Sequence, residues 1–548
     1  MPSTRRRRRF LRGPERLLLG LGLTVGLAFV LCYPPYGAGA DEGTHFARAL
    51  EMAHDRITPG EVDGRIASPI PSSYGDDQDA VVDSIFNGPA PFSGDLRDRL
   101  LESRPDWDDT FVVETQPTMA ATPLAYAPAA AAMVLPDRLG WAGLWVLWAG
   151  RIGNLLVYLA VVLVAVRVAT AFRWSIVIAA LFPMNLGIAA SVTPDALTIA
   201  ALLLVVAAWT RVWRPGGPAS SSEALVVADE SARTRAAVLA NLGASIADGD
   251  TAPSGFAPPE PVTDPGGPTP AEQDRTSTVD RLGRWVRTPV GTGVMVLGAG
   301  LLLVATKPPY FLVLAAFPAL LVVRWADRSV RAAALAAVVA LVAGGLFTTL
   351  TSSGSYKAVT TTLKGDIVYQ PDVQQERLFA DPLGFLGRVL ADWFGNINAT
   401  VQRWIRYVGY VETILPAWVS WTVLVLLILA AMVLDRGDLL GLRRFSRVIW
   451  LAAAPALTLV LYASSYIYFD DTVDGDRMGL QIPRYVAPFF AITVMGWAPR
   501  LLVRLPLRRP WADRIPTWVP VVAVVAIEVV VIVAGIRTWN FVRWSYTG

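Results

Sequence analysis

The chain has 548 residues, 53% of them hydrophobic and 17% charged, with a formal net charge of +3. Soluble domains average about 45–50% apolar and about 25% charged residues, so this composition excludes an ordinary water-soluble enzyme. The basic residues sit in short runs beside apolar segments, which is the pattern of membrane topology control and not of a nucleic-acid surface.

A basic stretch, residues 1–14, precedes the first apolar run. Runs of about 17–25 apolar residues are long enough to cross a bilayer core. Eleven are found, at 15–33, 141–166, 174–191, 195–213, 289–306, 308–324, 331–350, 414–434, 446–464, 484–504 and 517–536. Under this count the Arg-rich segments Arg5–Arg12, Arg167–Arg173, Arg324–Arg331, Asp435–Arg447 and Arg504–Arg514 fall on one side. The positive-inside rule makes that side the cytoplasm, with the N-terminus inside and the tail 537–548 outside. A rival reading takes Arg7–Leu11 as a twin-arginine export signal cleaved after Ala38-Gly39-Ala40. The single cysteine, Cys32, lies in the first run, so no disulfide framework or Cys-based metal site is expected.

The expected architecture is thus an all-α polytopic membrane protein. Its N-terminal membrane module, 15–213, carries a large external loop, 34–140, with short helices and Pro-rich turns such as Ile70–Gly75. Residues 214–288 are rich in Pro, Gly, Ser, Ala and acids, too apolar-poor to build a core, and read as a disordered cytoplasmic linker. A C-terminal module, 289–536, follows with an external loop at 351–413.

Ionisable residues in or beside membrane spans are expensive and so are functional candidates by default. Four groups converge on the outer face. Asp41, Glu42 and His45 follow the first span, with His45 at helical spacing from the acids. Asp195, in SVTPDAL, opens the fourth span. Lys307 and Tyr310, in TKPPYF, occupy a short outer turn, and Arg484 and Tyr485, in QIPRYVAPF, open the tenth. Each has a bland alternative: a solvated loop start for Asp41 and Glu42, a structural hydrogen-bonder for His45, a helix N-terminal charge for Asp195, interface snorkelling for Lys307 and Arg484. Their common depth favours the joint reading. Arg151 and Asn154 lie deep in the second span and should pair inside the bundle, for structure or for substrate access. Weaker signals are the Asn398-Ala-Thr400 triplet, the acidic Asp470–Asp476 loop, and Asp392, Arg403, Arg406 and Glu412 in the second external loop. No Walker-type phosphate loop is present, which argues against ATP-driven transport.

The segments PPYGAGADEGTHFARA, FPMNLGIAASVTPDAL, TKPPYFLVLAAFP and QIPRYVAPFF resemble the recurring motifs of the bacterial DUF2142 membrane proteins, over roughly residues 15–535 without the linker. That family is placed by similarity in the GT-C superfamily of polytopic glycosyltransferases. The resemblance implies a polyprenyl-phosphate-sugar donor and a cell-envelope glycan or lipid acceptor, met at the outer face of a bacterial plasma membrane. It implies that Asp41 or Glu42 is the general base, with His45 assisting, or that the two acids hold Mg or Mn. Asp195, Lys307, Tyr310, Arg484 and Tyr485 then bind substrate, the cations facing the lipid phosphate. Two other functions fit the same residues: a transporter or flippase of a lipid-linked glycan, and a non-catalytic scaffold for envelope assembly.

Overall fold

The computed structural model describes residues 13–36, 41–58, 61–62, 65–82, 94–114, 121–213, 285, 288–351, 371–408, 411–412, 415–435, 444–469, 487–494, 496–497 and 515–538. The bundle is built on α1 (Gly13–Cys32), α6 (Gly143–Val168), α7 (Arg173–Ala180), α8 (Pro183–Ala189) and α9 (Asp195–Trp213). After the linker come α10 (Pro289–Thr306), a 3₁₀ segment (Pro308–Ala315), α11 (Ala316–Arg324) and α12 (Arg328–Thr351). Then follow α13 (Pro371–Ala380), α14 (Pro382–Arg406), α15 (Ala417–Leu434), α16 (Arg444–Phe469) and α17 (Trp518–Thr538).

Among the described residues, seven helices are long and apolar enough to cross a membrane: α1, α6, α9, α10, α12, α15 and α17. Two of the other apolar runs of the sequence depart from a single straight helix for local reasons. The run at 174–191 is broken at Leu181-Phe182 ahead of Pro183, which has no N–H to continue α7. The carbonyls freed at the break are met by side chains: Tyr158 Oη donates to the Ala180 oxygen at 2.8 Å and Asn185 Nδ2 to that of Ala179 at 2.7 Å. Residues 175–203 are buried throughout, so this irregular backbone never faces lipid. The run at 308–324 likewise starts as a 3₁₀ segment at Pro308-Pro309, and the one at 484–504 lies mostly outside the described residues.

One end of the bundle is held by arginines that donate to helix-terminal carbonyls, where the helix dipole favours a cation. Arg211 Nε bonds the Val168 oxygen at 2.6 Å, Arg173 Nε that of Ala169 at 2.9 Å, and Arg324 that of Val212. Here too Arg167 lies 3.8 Å from Glu15, and Asp435 caps the start of α7 through Ser175 N at 2.7 Å.

The opposite end carries a small capping domain. Its helices are α2 (Glu42–His54), α3 (Ser72–Val82), α4 (Gly94–Glu102) and α5 (Pro123–Arg138). A three-stranded antiparallel sheet, β1 (Glu61–Val62), β2 (Arg65–Pro71) and β3 (Thr110–Glu114), accompanies them with β2 central and Ala67 opposite Glu114. The short helices expected in this loop are present, and the turn expected at Ile70–Gly75 is replaced by strand and helix. Ile70 and Pro71 close strand β2, whose Pro69–Pro71 half pairs with β3 alone and so tolerates proline at its free edge. The domain has its own core of Phe46, Leu50, Ile70, Tyr74, Tyr126 and Met133. Both histidines of the chain lie on α2 and both reach α5: His45 Nδ1 lies 2.9 Å from Tyr126 Oη, and His54 Nδ1 lies 3.0 Å from Asp137 Oδ2. Within this domain, burial pushes the Asp77 carboxyl above its usual range, against the lowering pull of Ser103 and Arg99.

Candidate functional site

The site is assembled where the capping domain meets the bundle. α2 begins at Asp41, which adopts the left-handed conformation (φ 59°, ψ 23°) that Asp tolerates better than most residues. The turn sends the two adjacent acids in different directions. Asp41 is exposed at the helix N-terminus, where the dipole favours its charge, and its carbonyl accepts from His45 N at 3.0 Å. Glu42 is 1% exposed and turns into the bundle.

There Glu42 meets Arg151 in a two-pronged ion pair, Nε to Oε1 at 2.8 Å and Nη2 to Oε2 at 2.6 Å. Arg151 is fully buried and also donates to the backbone oxygens of Val30 (3.1 Å), Tyr33 (3.2 Å) and Pro34 (2.8 Å), which end α1. Glu42 Oε1 accepts a third bond from Val192 N at 3.0 Å. One helical turn on, Asn154 Nδ2 donates to the oxygens of Ser191 (2.9 Å) and Thr193 (3.2 Å). Two residues of α6 thus fix both the exit of α1 and the loop leading to α9.

That loop delivers Asp195. Its N–H donates to Thr193 Oγ1 at 3.3 Å, and its carboxylate receives Lys307 Nζ at 2.8 Å from the end of α10. The pair joins residues from separate loops, and the Lys307 side chain is 24% exposed while that of Asp195 is 10% exposed. Tyr310 follows in the 3₁₀ segment, its backbone N–H donating to the Lys307 oxygen at 3.1 Å and its ring 6.0 Å from that of Phe489. The start of α5 touches the same place, because Thr122 N donates to the Ala305 oxygen at 2.7 Å. Tyr126, one turn along α5, therefore brings His45 toward the Lys307 corner.

Of the residues singled out in the sequence, the structure directly couples Asp195 to Lys307 and places Tyr310 beside them. It links Asp41 and Glu42 to them through Val192 and Thr193. Arg484, Tyr485 and the Asp470–Asp476 loop lie outside the described residues. Tyr126 was not singled out, since an isolated tyrosine in PLAYAP carries no pattern. Glu42 and Arg151 were noted separately, and nothing in sequence spacing pairs positions 109 residues apart. As a set of divalent-metal ligands Asp41 and Glu42 fit poorly. Both Glu42 oxygens are committed to Arg151 and Val192, and among the described residues no three His, Cys, Asp or Glu side chains gather as a metal would need.

The fold and this polar junction define a multi-pass α-helical membrane protein with a structured domain at one end of its bundle. The chain belongs to DUF2142, a family described as predicted membrane proteins, whose model matches residues 23–230 and 284–493. The unmatched stretch between falls within the segment read as a linker. Neither curated proteins nor solved structures gave a match.

Proposed function

We propose that the protein is a GT-C-like glycosyltransferase that moves a sugar from a polyprenyl-phosphate donor to a cell-envelope glycan or lipid acceptor at the outer membrane face. The carrying observation is the partly exposed Lys307–Asp195 pair, tied through the Glu42–Arg151–Val192 connection to a neighbouring exposed carboxylate, Asp41. A cation and a carboxylate at one membrane level are what transfer from a lipid phosphate requires.

In this mechanism the acceptor hydroxyl gives its proton to the Asp41 carboxylate as its oxygen bonds to the anomeric carbon. The anomeric carbon–phosphate oxygen bond breaks, and the electron pair leaves on the polyprenyl phosphate. Lys307, oriented by Asp195, neutralises that developing charge. Glu42 has no uncommitted oxygen pair for a base, which supports giving that role to Asp41. His45, fixed against Tyr126, positions the turn. Tyr310, Arg484 and Tyr485 complete donor binding in this reading. Among the described residues the acids do not gather as a metal-ligand set, so each step above is assigned to side chains alone. The apolar bundle accommodates the polyprenyl chain, and the arginine-capped end faces the cytoplasm of a bacterial cell. A transport path would need a charge such as Arg151 to face it, but Arg151 is enclosed by Glu42 and three carbonyls.

The test is sugar transfer by the purified, reconstituted protein from labelled polyprenyl-phosphate sugars to envelope acceptors, read as release of polyprenyl phosphate. Wild-type protein should transfer and Asp41→Asn should not, while both insert and pack alike. Full transfer by Asp41→Asn, or donor translocation without any acceptor, would overturn the proposal.

A further inference from the structure

A second cleft opens at the other end of α5. It encloses about 690 Å³ and is lined by Leu101, Glu102, Arg104, Leu139, Trp141 and Trp145. α5 has 16 residues, so at 1.5 Å per residue the cleft lies about 24 Å along that helix from the Lys307 corner. It is a separate place in the molecule.

The cleft is held open by local geometry. Gly140, with φ 61°, ends α5 in the left-handed turn that glycine adopts without strain, and Trp141 N returns to the Pro136 oxygen at 3.0 Å. Gly143 N donates to the Ser103 oxygen at 3.0 Å, which pins the loop after α4 to the start of α6. Glu102 and Arg104 flank that pinned residue. Both are exposed, and neither makes an ion pair or side-chain hydrogen bond among the described residues.

Two observations say what covers this place. First, Trp145 continues the exposed apolar face of α6 formed by Leu156 and Val164, which lie on the same side of the helix. That face is the bilayer-facing side of a membrane-crossing helix, so the cleft opens where hydrocarbon gives way to headgroups, the depth indoles prefer. Secondly, its unpaired charges are one of each sign, two residues apart. A purely anionic headgroup would satisfy Arg104 and repel Glu102. A headgroup carrying both phosphate and ammonium would satisfy both, with the phosphate on the guanidinium, the ammonium on the carboxylate and the indoles beside it.

We propose that this cleft binds the headgroup of a zwitterionic phospholipid of the outer leaflet, with its acyl chains lying along the Trp145–Leu156–Val164 face of α6. The site is independent of the glycosyl-transfer reading.

The experiment is native mass spectrometry of the full-length protein, delipidated in detergent and offered phosphatidylethanolamine, phosphatidylcholine or phosphatidylglycerol of one acyl composition. Wild-type protein should retain at least one zwitterionic lipid more strongly than phosphatidylglycerol. Glu102→Gln with Arg104→Gln should weaken that retention about tenfold, the order of one lost charge-assisted hydrogen bond. Trp145→Leu, which keeps the apolar face, should also weaken it. An unchanged unfolding midpoint for each variant shows that the fold is intact; should the double variant unfold, Arg104→Gln alone carries the same expectation. The proposal fails if phosphatidylglycerol is retained as well as the zwitterionic lipids, if no lipid is retained, or if the folded variants keep wild-type retention.

Discussion

Two acid–base pairs near the same end of the bundle, Glu42–Arg151 and Asp195–Lys307, are built differently. Glu42–Arg151 has both partners sealed from solvent, two short prongs, and every remaining donor bound to a carbonyl. Asp195–Lys307 is joined at 2.8 Å, and its lysine keeps about a quarter of its side-chain surface open. A buried pair with saturated geometry fixes structure, because any exchange of partner would strand a charge in a low-dielectric interior. A partly exposed pair keeps its cation within reach of solvent. The difference teaches that a sealed pair and a partly open one near a membrane span serve different ends. The first pair is a clamp, and the second is the one we propose for chemistry.

Mutations should break this contrast in graded steps. The largest effect belongs to Arg151→Met, which leaves Glu42 buried without a counter-charge and should cost about 3–5 kcal/mol, read as a fall in thermal midpoint and in yield of inserted protein. Wild-type stability in that variant would refute the clamp. Next is Asp41→Asn, expected to lower sugar transfer by about 10²–10⁴-fold with no change in unfolding midpoint, as removal of a general base does. Lys307→Gln should also lower transfer, with a loss of stability of roughly 1 kcal/mol or less because the pair is partly solvated. A fourth change probes the platform beneath both pairs. A Cβ at Gly153 would lie 2.3 Å from the Pro128 backbone oxygen, so Gly153→Ala must push α5 from α6 and should cost about 1–3 kcal/mol. The smallest effect concerns Asp77. Burial raises its folded-state pKa, so its contribution is present in acid and is lost as pH rises through that raised value. Asp77→Asn should therefore unfold with less loss of midpoint between acid and neutral pH than the wild-type protein, as followed by thermal melts across that range.

Much of the architecture could be read in advance, because apolar runs and arginine placement are local signals. The boundaries of α1, α6, α9 and α10 follow the apolar runs to within two residues. The break at Pro308 is legible as a gap between two runs, whereas the one at Pro183 is hidden by the surrounding apolar residues, since hydropathy counts residues and not hydrogen bonds. The residues now joined as Asp195 and Lys307 stood out individually for being charges at span ends. Their pairing is a long-range fact that no single sequence carries. The sequence placed Asp41 and Glu42 together as equals; only the left-handed turn at Asp41 separates an outward acid from an inward one.

The break between α7 and α8 also bears on how the protein is made. Each half is too short to cross a bilayer, with 8 and 7 residues, and at the break the carbonyls of Ala179 and Ala180 both take side-chain donors. One is quieted by Asn185 from within, but the other depends on Tyr158, which belongs to α6. Such a segment has no comfortable residence in lipid by itself. It can settle only against a helix already in place, so the order of synthesis, α6 before α7 and α8, doubles as an order of assembly.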